Sequence, residues 1–301
     1  MYIINPYNLG SDGIWLKGNL HAHTQASPCG HYPLEEVAAT YSDRIMKYDF
    51  LAITDHLQLT DVSPVQGMNG LIMFSGTEYK KEVYQTLGIN INAYQDDAFD
   101  EKNHQSIFNE VLRQGGINII CHPHLYRDNY WPLDRLLELN GYTAIEIYNH
   151  NVKMNSAGRA LATDLWDELL SRGRRVWGIA SDDFHHSSRY GGGCIMVKAS
   201  EKSPAAILGA IRAGSFYAAA GVFLKDIEVN GNIISLAPSS KRIQKTIFRF
   251  IGKEGKLLEE TVTSAPEERV SYAVHGDEGY VRAEAYREDG ARAWTAPFFI
   301  E

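Results

Sequence analysis

The sequence predicts an α/β domain with parallel strands, followed by a small antiparallel β module. Two observations carry that reading. Up to about Gly191, short apolar runs alternate with helical stretches, and the runs end in polar, ligand-type residues. Beyond Gly221 the helical pattern stops, and short strand-like runs follow, punctuated by glycines and by Asn230-Gly231 and Asp289-Gly290. The expected division is 1–220 for the α/β domain and 221–301 for the β module.

Each element has a local reason. Ile14 to Leu16 leads to His21 and His23, Phe50 to Ile53 to Asp55 and His56, and Leu71 to Phe74 to Glu78. Ile117 to Ile120 leads to His122 and His124, Ala144 to Ile147 to Asn149 and His150, and Val176 to Ile179 to Asp182, Asp183 and His185. Runs this short and this rich in Ile, Val and aromatics suit buried parallel strands. A helix is expected from Pro33, with acidic residues in its first turn. Others are expected over Ser106 to Gln114, Leu133 to Leu139, Ser156 to Arg172 and Pro204 to Arg212, most of them stopping at glycine. In the module, Asp226 to Val229, Thr246 to Ile251, Ser271 to Val274, Tyr280 to Tyr286 and Trp294 to Ile300 read as strands.

The 301 residues are 44% hydrophobic and 22% charged, which fits a folded chain rather than a disordered one. A net charge of -8 with no Lys/Arg-rich run argues against an extended nucleic-acid partner, but not against a small anionic substrate. Three scattered cysteines without a C-x-x-C argue for a reducing compartment. The start lacks a leader pattern, and no apolar stretch is long enough to span a bilayer. A cytoplasmic protein without a membrane partner is expected.

The chemistry lies in the polar clusters. In parallel α/β folds functional groups gather at the carboxyl ends of strands. Seven of the 11 histidines fall in these clusters. His21 and His23 stand at i and i+2, so on a strand they share a face and can bind one ion; alone, the pair equally fits two surface histidines. Asp55 can orient a neighbouring histidine, bind metal, or cap a helix. Glu78 can bridge two cations. His122 is the better ligand candidate of its pair, with His124 in the following loop. Asp183 and His185 repeat the i, i+2 relation. Mixed His and carboxylate donors suit Zn, Mn or Fe, and there are too many for one tetrahedral ion. A site with two or more divalent metals follows, able to generate hydroxide from water near neutral pH.

These residues resemble the PHP (polymerase and histidinol phosphatase) superfamily of metallohydrolases. The similar motifs are Asn19-Leu20-His21-Ala22-His23-Thr24, Ile53-Thr54-Asp55-His56, Gly76-Thr77-Glu78, His122-Pro123 and Ser181-Asp182-Asp183-Phe184-His185. Ala210 to Leu224 and Ala293 to Pro297 look like a branch with a C-terminal β module that includes carbamate-ester hydrolases. The resemblance implies a distorted (β/α)7 barrel with two or three metals at its C-terminal rim. His21, His23, Glu78 and Asp183 would hold one metal, Glu78 would bridge to a second held by His56, and His122 and His185 would hold a third. Asp55 would support a ligand without touching metal, and Glu78 and Asp183 would be the catalytic residues. Two positions depart from the pattern. No acid or histidine follows the pair closely, so Cys29 or His31 would have to substitute, or nothing does. Gln85 stands where a histidine ligand of the third metal is common.

The expected function is hydrolysis of a small phosphate ester. Carboxylic or carbamic ester hydrolysis at the same site is the alternative, and a metal-binding module without turnover is the third reading. Asn149 and Arg189 are candidates for contacting substrate, although packing roles fit them as well; Lys80, Lys81 and Arg127 are weaker ones. Specificity is expected from loops such as Asn90 to Asn103.

Overall fold

In the computed structural model the described residues are 1–8, 13–81, 83–94, 104–239 and 244–301. Residues 95–103 of the expected specificity loop therefore lie outside the described residues, as does the side chain of Lys81.

A two-residue strand, β1 (Ile3–Ile4), precedes β2 (Ile14–Asn19), α1 (Leu34–Tyr41), β3 (Phe50–His56), β4 (Ile72–Lys81), β5 (Tyr84–Ile89), α2 (His104–Arg113) and β6 (Ile117–Ile120). Then come α3 (Leu133–Glu138), β7 (Tyr142–Asn149), α4 (His150–Asn155), α5 (Thr163–Ser171), β8 (Trp177–Ser181), β9 (Cys194–Ala199), α6 (Pro204–Ala213) and β10 (Phe216–Ala220). The strands pair in the order β2-β3-β4-β5-β6-β7-β8, with β9 and then β10 beyond β2.

Strands β3 and β6 are buried along nearly their whole length, and their runs Phe50 to Ile53 and Ile119 to Ile120 are apolar, as strands covered on both faces must be. The helices cover them. Helix α2 buries His104, Ile107, Phe108 and Val111, a stripe at helical spacing. Helix α6 starts where Ser203 Oγ accepts the Ala206 N–H at 3.2 Å and ends at Gly214 in the left-handed region.

Three expectations are corrected. The sheet is mixed: β5, which carries no strand signal in the reading above, pairs antiparallel with both β4 and β6, and β9 pairs antiparallel with β2. It is not a closed barrel either, for β8 lies against β9 and β10 with no hydrogen-bonded ladder between them. The expected long helix from Ser156 to Arg172 is two helices. Ser156 turns left-handed at φ 50°, and the chain then bridges Leu125 through Gly158 and Tyr148 through Leu161 before α5 begins.

Past Gly221, β11 (Leu224–Asn230), β12 (Ile233–Pro238), β13 (Thr246–Ile251), β14 (Leu257–Thr263), β15 (Val270–Ala273), β16 (Tyr280–Tyr286), β17 (Arg292–Thr295) and β18 (Phe298–Ile300) follow. Strands β11, β12 and β15 form a separate three-stranded sheet. The rest continue the large sheet, because β17 pairs with β10, and β18 pairs with both β16 and β1. Arg282 joins the two regions. Its guanidinium donates to both carboxylate oxygens of Asp167 on α5, at 2.7 and 2.6 Å, and to Glu284 at 2.7 Å. Among the described residues no helix is long and apolar enough to cross a membrane.

Candidate metal centre

Strands β2, β3, β4, β6, β7 and β8 point the same way, and their carboxyl ends carry the histidines and acids. His21 and His23 follow β2. The backbone locks them beside Asp183: the His23 N–H donates to the Phe184 carbonyl at 2.8 Å, and the Phe184 N–H donates back to His21 at 3.2 Å. Glu78 is not past its strand but inside β4, with His56 opposite it on β3. Two ligand positions sit at strained backbone: His122 has φ 25° and Asp183 φ 50°. Non-glycine residues hold such angles where surrounding structure imposes them, and functional sites are where that recurs.

Four atoms converge. Nε2 of His21 lies 3.1 Å from Nε2 of His23, 3.3 Å from Oε2 of Glu78 and 3.2 Å from Oδ1 of Asp183. Nε2 of His23 lies 3.2 Å from the same Glu78 oxygen and 3.4 Å from the same Asp183 oxygen. The triangles His21-His23-Glu78 and His21-His23-Asp183 each have edges that allow an ion about 2.0 Å from all three corners, the length of a zinc bond to nitrogen or oxygen. Oδ1 of Asp183 is buried without a hydrogen-bond donor. Neither two imidazole Nε2 atoms nor two carboxylate oxygens satisfy one another without a proton or a cation between them. The donor set therefore fits a divalent metal.

Glu78 reaches further. Its Oε2 lies 3.1 Å from Nδ1 of His56, and its Oε1 lies 3.2 Å from Nε2 of His122. His185 and His56 both stack on His23, at 4.3 and 4.5 Å between ring centroids, and the three rings offer ligand atoms close together. His122 and His185, the pair expected to share a third metal, fall in different groups of close ligand atoms, His185 with His23 and His56. Cys121 instead lies with His122 and Glu146.

The outer partners fix which nitrogen each ring presents. Nδ1 of His21 lies 2.8 Å from Oε1 of Glu146, and Nδ1 of His23 lies 3.1 Å from Oγ of Ser27, whose hydroxyl donates to Asp55 at 2.7 Å. Nδ1 of His185 faces the Asp183 carbonyl at 2.8 Å. Each leaves Nε2 free as a ligand. Asp55 thus serves His23 through Ser27 and also accepts from the Thr24 N–H and hydroxyl at 2.8 Å. Glu146 lies hidden in an apolar run of β7 and carries no sequence signal beyond its charge. It also accepts from the His122 N–H at 2.7 Å, Asn149 at 2.9 Å and Ser181 at 2.5 Å, so it ties together the ends of β2, β6, β7 and β8.

Burial alone would push the His21 imidazole down; the charges of Asp183, Glu146 and Glu78 outweigh it and hold its pKa well above the usual range. Burial likewise opposes ionisation of Glu78, yet His21 and the hydrogen bonds from His122, His21 and His23 hold that carboxyl well below its usual range. The cluster attracts positive charge.

The remaining candidates divide. Asn149 is buried behind the ligands, donating to Glu146 and, at 3.2 Å, to Oδ2 of Asp183, while its own Oδ1 caps α4. Arg189 is held on α4 by Asn151 at 2.9 Å and Asn155 at 2.5 Å. Asn151, unread in the sequence, donates to Asp183 and borders the cavity over the ligands. Asp182 faces away: it accepts from Tyr41 at 2.7 Å and from the Gly191 and Gly193 N–H groups at 2.9 and 2.7 Å. Gly193 is needed there, since a Cβ would stand 2.4 Å from the Ser181 carbonyl oxygen. His124 also turns away, toward Asp164 at 3.2 Å. His31 is exposed against His186, 5.5 Å between rings, whereas Cys29 and Gln85 border the cavity beside His56.

No family model and no curated protein matches the sequence. Among solved structures, endonuclease Q is similar at a TM-score of 0.46 and 13% identity, over 66% of this chain and 57% of that one. PsfC from Pseudomonas syringae is similar at 0.41 and 13%, over 62% and 82%. A two-domain protein from Bacteroides vulgatus, described as containing a predicted PHP-like metal-dependent phosphoesterase, is similar at a TM-score of 0.56 and 13% identity, over 95% of this chain and 96% of that one. The chain therefore shares the fold of that two-domain protein along nearly its whole length.

Proposed function

We propose that the protein is a metal-dependent phosphoesterase that cleaves a small phosphate ester at a site for two or three divalent cations, Zn, Mn or Fe. The close approach of Glu78 and Asp183 to the paired Nε2 atoms of His21 and His23 is the observation that carries the reading. The likeness to the Bacteroides vulgatus protein, described as metal-dependent and a phosphoesterase, supports it.

These four residues would hold one cation, and the two oxygens of Glu78 would share it with further cations beside His56 and His122. Bound there, divalent cations supply Lewis-acid charge and lower the pKa of water toward neutrality. The protein's own part is preorganisation. Glu146 and Ser27 set the histidine tautomers. Asn149 and Asn151 hold one oxygen of Asp183, which leaves the other aimed at the cluster. Fixed charge of this kind favours a reaction in which negative charge shifts between phosphate oxygens.

The test is turnover of 4-nitrophenyl phosphate, 4-nitrophenyl acetate and a nitrophenyl carbamate by the metal-loaded protein. Phosphatase activity lost in His21→Ala, with folding intact, is expected. Acetate or carbamate cleavage with background phosphatase activity would assign the ester reading instead. Bound metal without turnover of any ester would leave a binding module.

A further inference from the structure

The cavity over the ligands, about 220 Å³, opens sideways into a larger groove of about 740 Å³. Cys29, His56, Gln85 and Tyr126 border both, so the two spaces are continuous. The walls of the groove differ from the rest of the surface in two ways.

They are apolar where water reaches them. Leu57 is 44% exposed, Val83 51% and Tyr126 76%. Leu57 and Tyr126 both hold left-handed backbone, at φ 54° and 63°. For a leucine and a tyrosine that conformation is costly, and it recurs at ligand-contacting positions. Tyr130 completes this wall, with its ring 6.2 Å from that of His122.

The groove also carries two cations. Lys80 and Arg127 line it, and neither side chain has an acidic partner among the described residues. In a protein of net charge -8 two such groups lining one groove are a local reversal of sign. Lys80 has a defined place relative to the ligands. It lies two residues beyond Glu78 on β4, so the two share a strand face about 7 Å apart. Gln85 pairs directly with Lys80 across the hairpin and carries an amide, not an imidazole, at the boundary between the two spaces.

We propose that this groove holds the leaving group of the substrate, and that the leaving group is a flat apolar body bearing a second anionic group. The apolar part lies on Leu57, Val83, Tyr126 and Tyr130, and the second anion sits between Lys80 and Arg127. This assignment of substrate class rests on the phosphoesterase reading above.

Binding tests it without turnover. Benzylphosphonate and 4-carboxybenzylphosphonate contain no ester bond, so calorimetry on the metal-loaded protein reads affinity alone. Two partly exposed ion pairs predict about tenfold tighter binding of the carboxylated compound. The ratio is expected to fall toward one in the Lys80→Ala/Arg127→Ala double variant and with rising salt in the wild-type protein. Equal affinity for the two compounds, no binding of either, or a preference that survives the double variant would overturn the proposal. A preference that behaves as expected, in a protein that cleaves no phosphate ester, would leave the groove assignment standing and remove the phosphoesterase reading alone.

Discussion

Oε1 of Glu146 lies 2.8 Å from Nδ1 of His21, and with its second oxygen this carboxylate meets groups from four strand ends. All of those groups point N–H or O–H donors at it. An uncharged amide puts its own hydrogens against two of them. Glu146→Gln is therefore expected to weaken metal binding about 10- to 100-fold, as losses behind a metal ligand do. Competition with a chelator measures it; unchanged affinity in a folded variant would show that Glu146 does not position His21.

The adjacent acids Asp182 and Asp183 predict opposite phenotypes. Asp183→Ala removes one of the four converging ligand candidates, and loss of bound metal and of hydrolysis is expected with little change in fold. Asp182→Ala leaves the Tyr41 hydroxyl and two glycine N–H groups unpaired. It is expected to keep the cation and to lose about 3 kcal/mol of stability. Metal content and urea unfolding of both variants separate the two roles.

Asp164 predicts a pH dependence. Burial raises its pKa, but hydrogen bonds from His124 and Arg159 and the Arg159 charge outweigh that and hold it below the usual carboxylate range. A depressed folded pKa gives stability that is present above the unfolded value near 4 and is lost as pH falls through the folded value. Asp164→Asn should therefore destabilise at pH 7 and converge with the wild type at low pH. The side chain is 56% exposed, so the cost at pH 7 is expected to be at most about 1 kcal/mol. A stability difference that stayed constant from pH 7 down to acid unfolding would contradict this.

Chelation should lower the melting temperature. Metal binds the folded cluster and not the dispersed residues of an unfolded chain, so a free concentration 100 times the dissociation constant adds about 2.7 kcal/mol. Scanning calorimetry before chelation, after it, and after restoring Zn or Mn is expected to show a fall and a recovery. Coincident transitions would mean that the cluster holds no metal.

Arg282→Ala should be among the most damaging single changes away from the centre. It leaves Asp167 and Glu284 buried without their cation and costs about 3–5 kcal/mol. Denaturant unfolding measures it. A cost under about 1 kcal/mol would show that this buried pair does not fasten α5 to β16.

Part of the centre was legible in the sequence: His21 and His23 flank the bridge-forming Ala22 just past β2 and turn to one side, as the i, i+2 rule expects, whereas Asp183 reaches them from left-handed backbone past β8 that the rule does not describe. Glu146 was not legible. Its neighbours are isoleucines, and only the fold reveals that its side chain points among strand ends. The antiparallel strand β5 was hidden for a different reason: Gln85 and Gly88 interrupt the strand formers Tyr84, Thr86 and Ile89, and its pairing with β4 and β6 is what holds it. The helix expected over Ser156 to Arg172 failed at Ser156, where long-range bridges to Leu125 and Tyr148 override local helix preference. Asn149 read equally as a substrate contact or a packing residue, and its amide is enclosed by acids that only meet in the folded chain.

The pairing of β10 with β17 has a consequence for dissecting the protein. A chain stopped at Gly221 would keep every metal-binding candidate and still present Phe216 to Ala220 as a bare sheet edge, with apolar side chains and open N–H and C=O groups. Such an edge templates pairing with another copy. It would also lose Trp294, whose ring stacks 5.8 Å from Tyr148. The β strands after Gly221 thus act as a built-in guard against self-association of the large sheet, and a shortened protein is expected to aggregate before its chemistry can be measured.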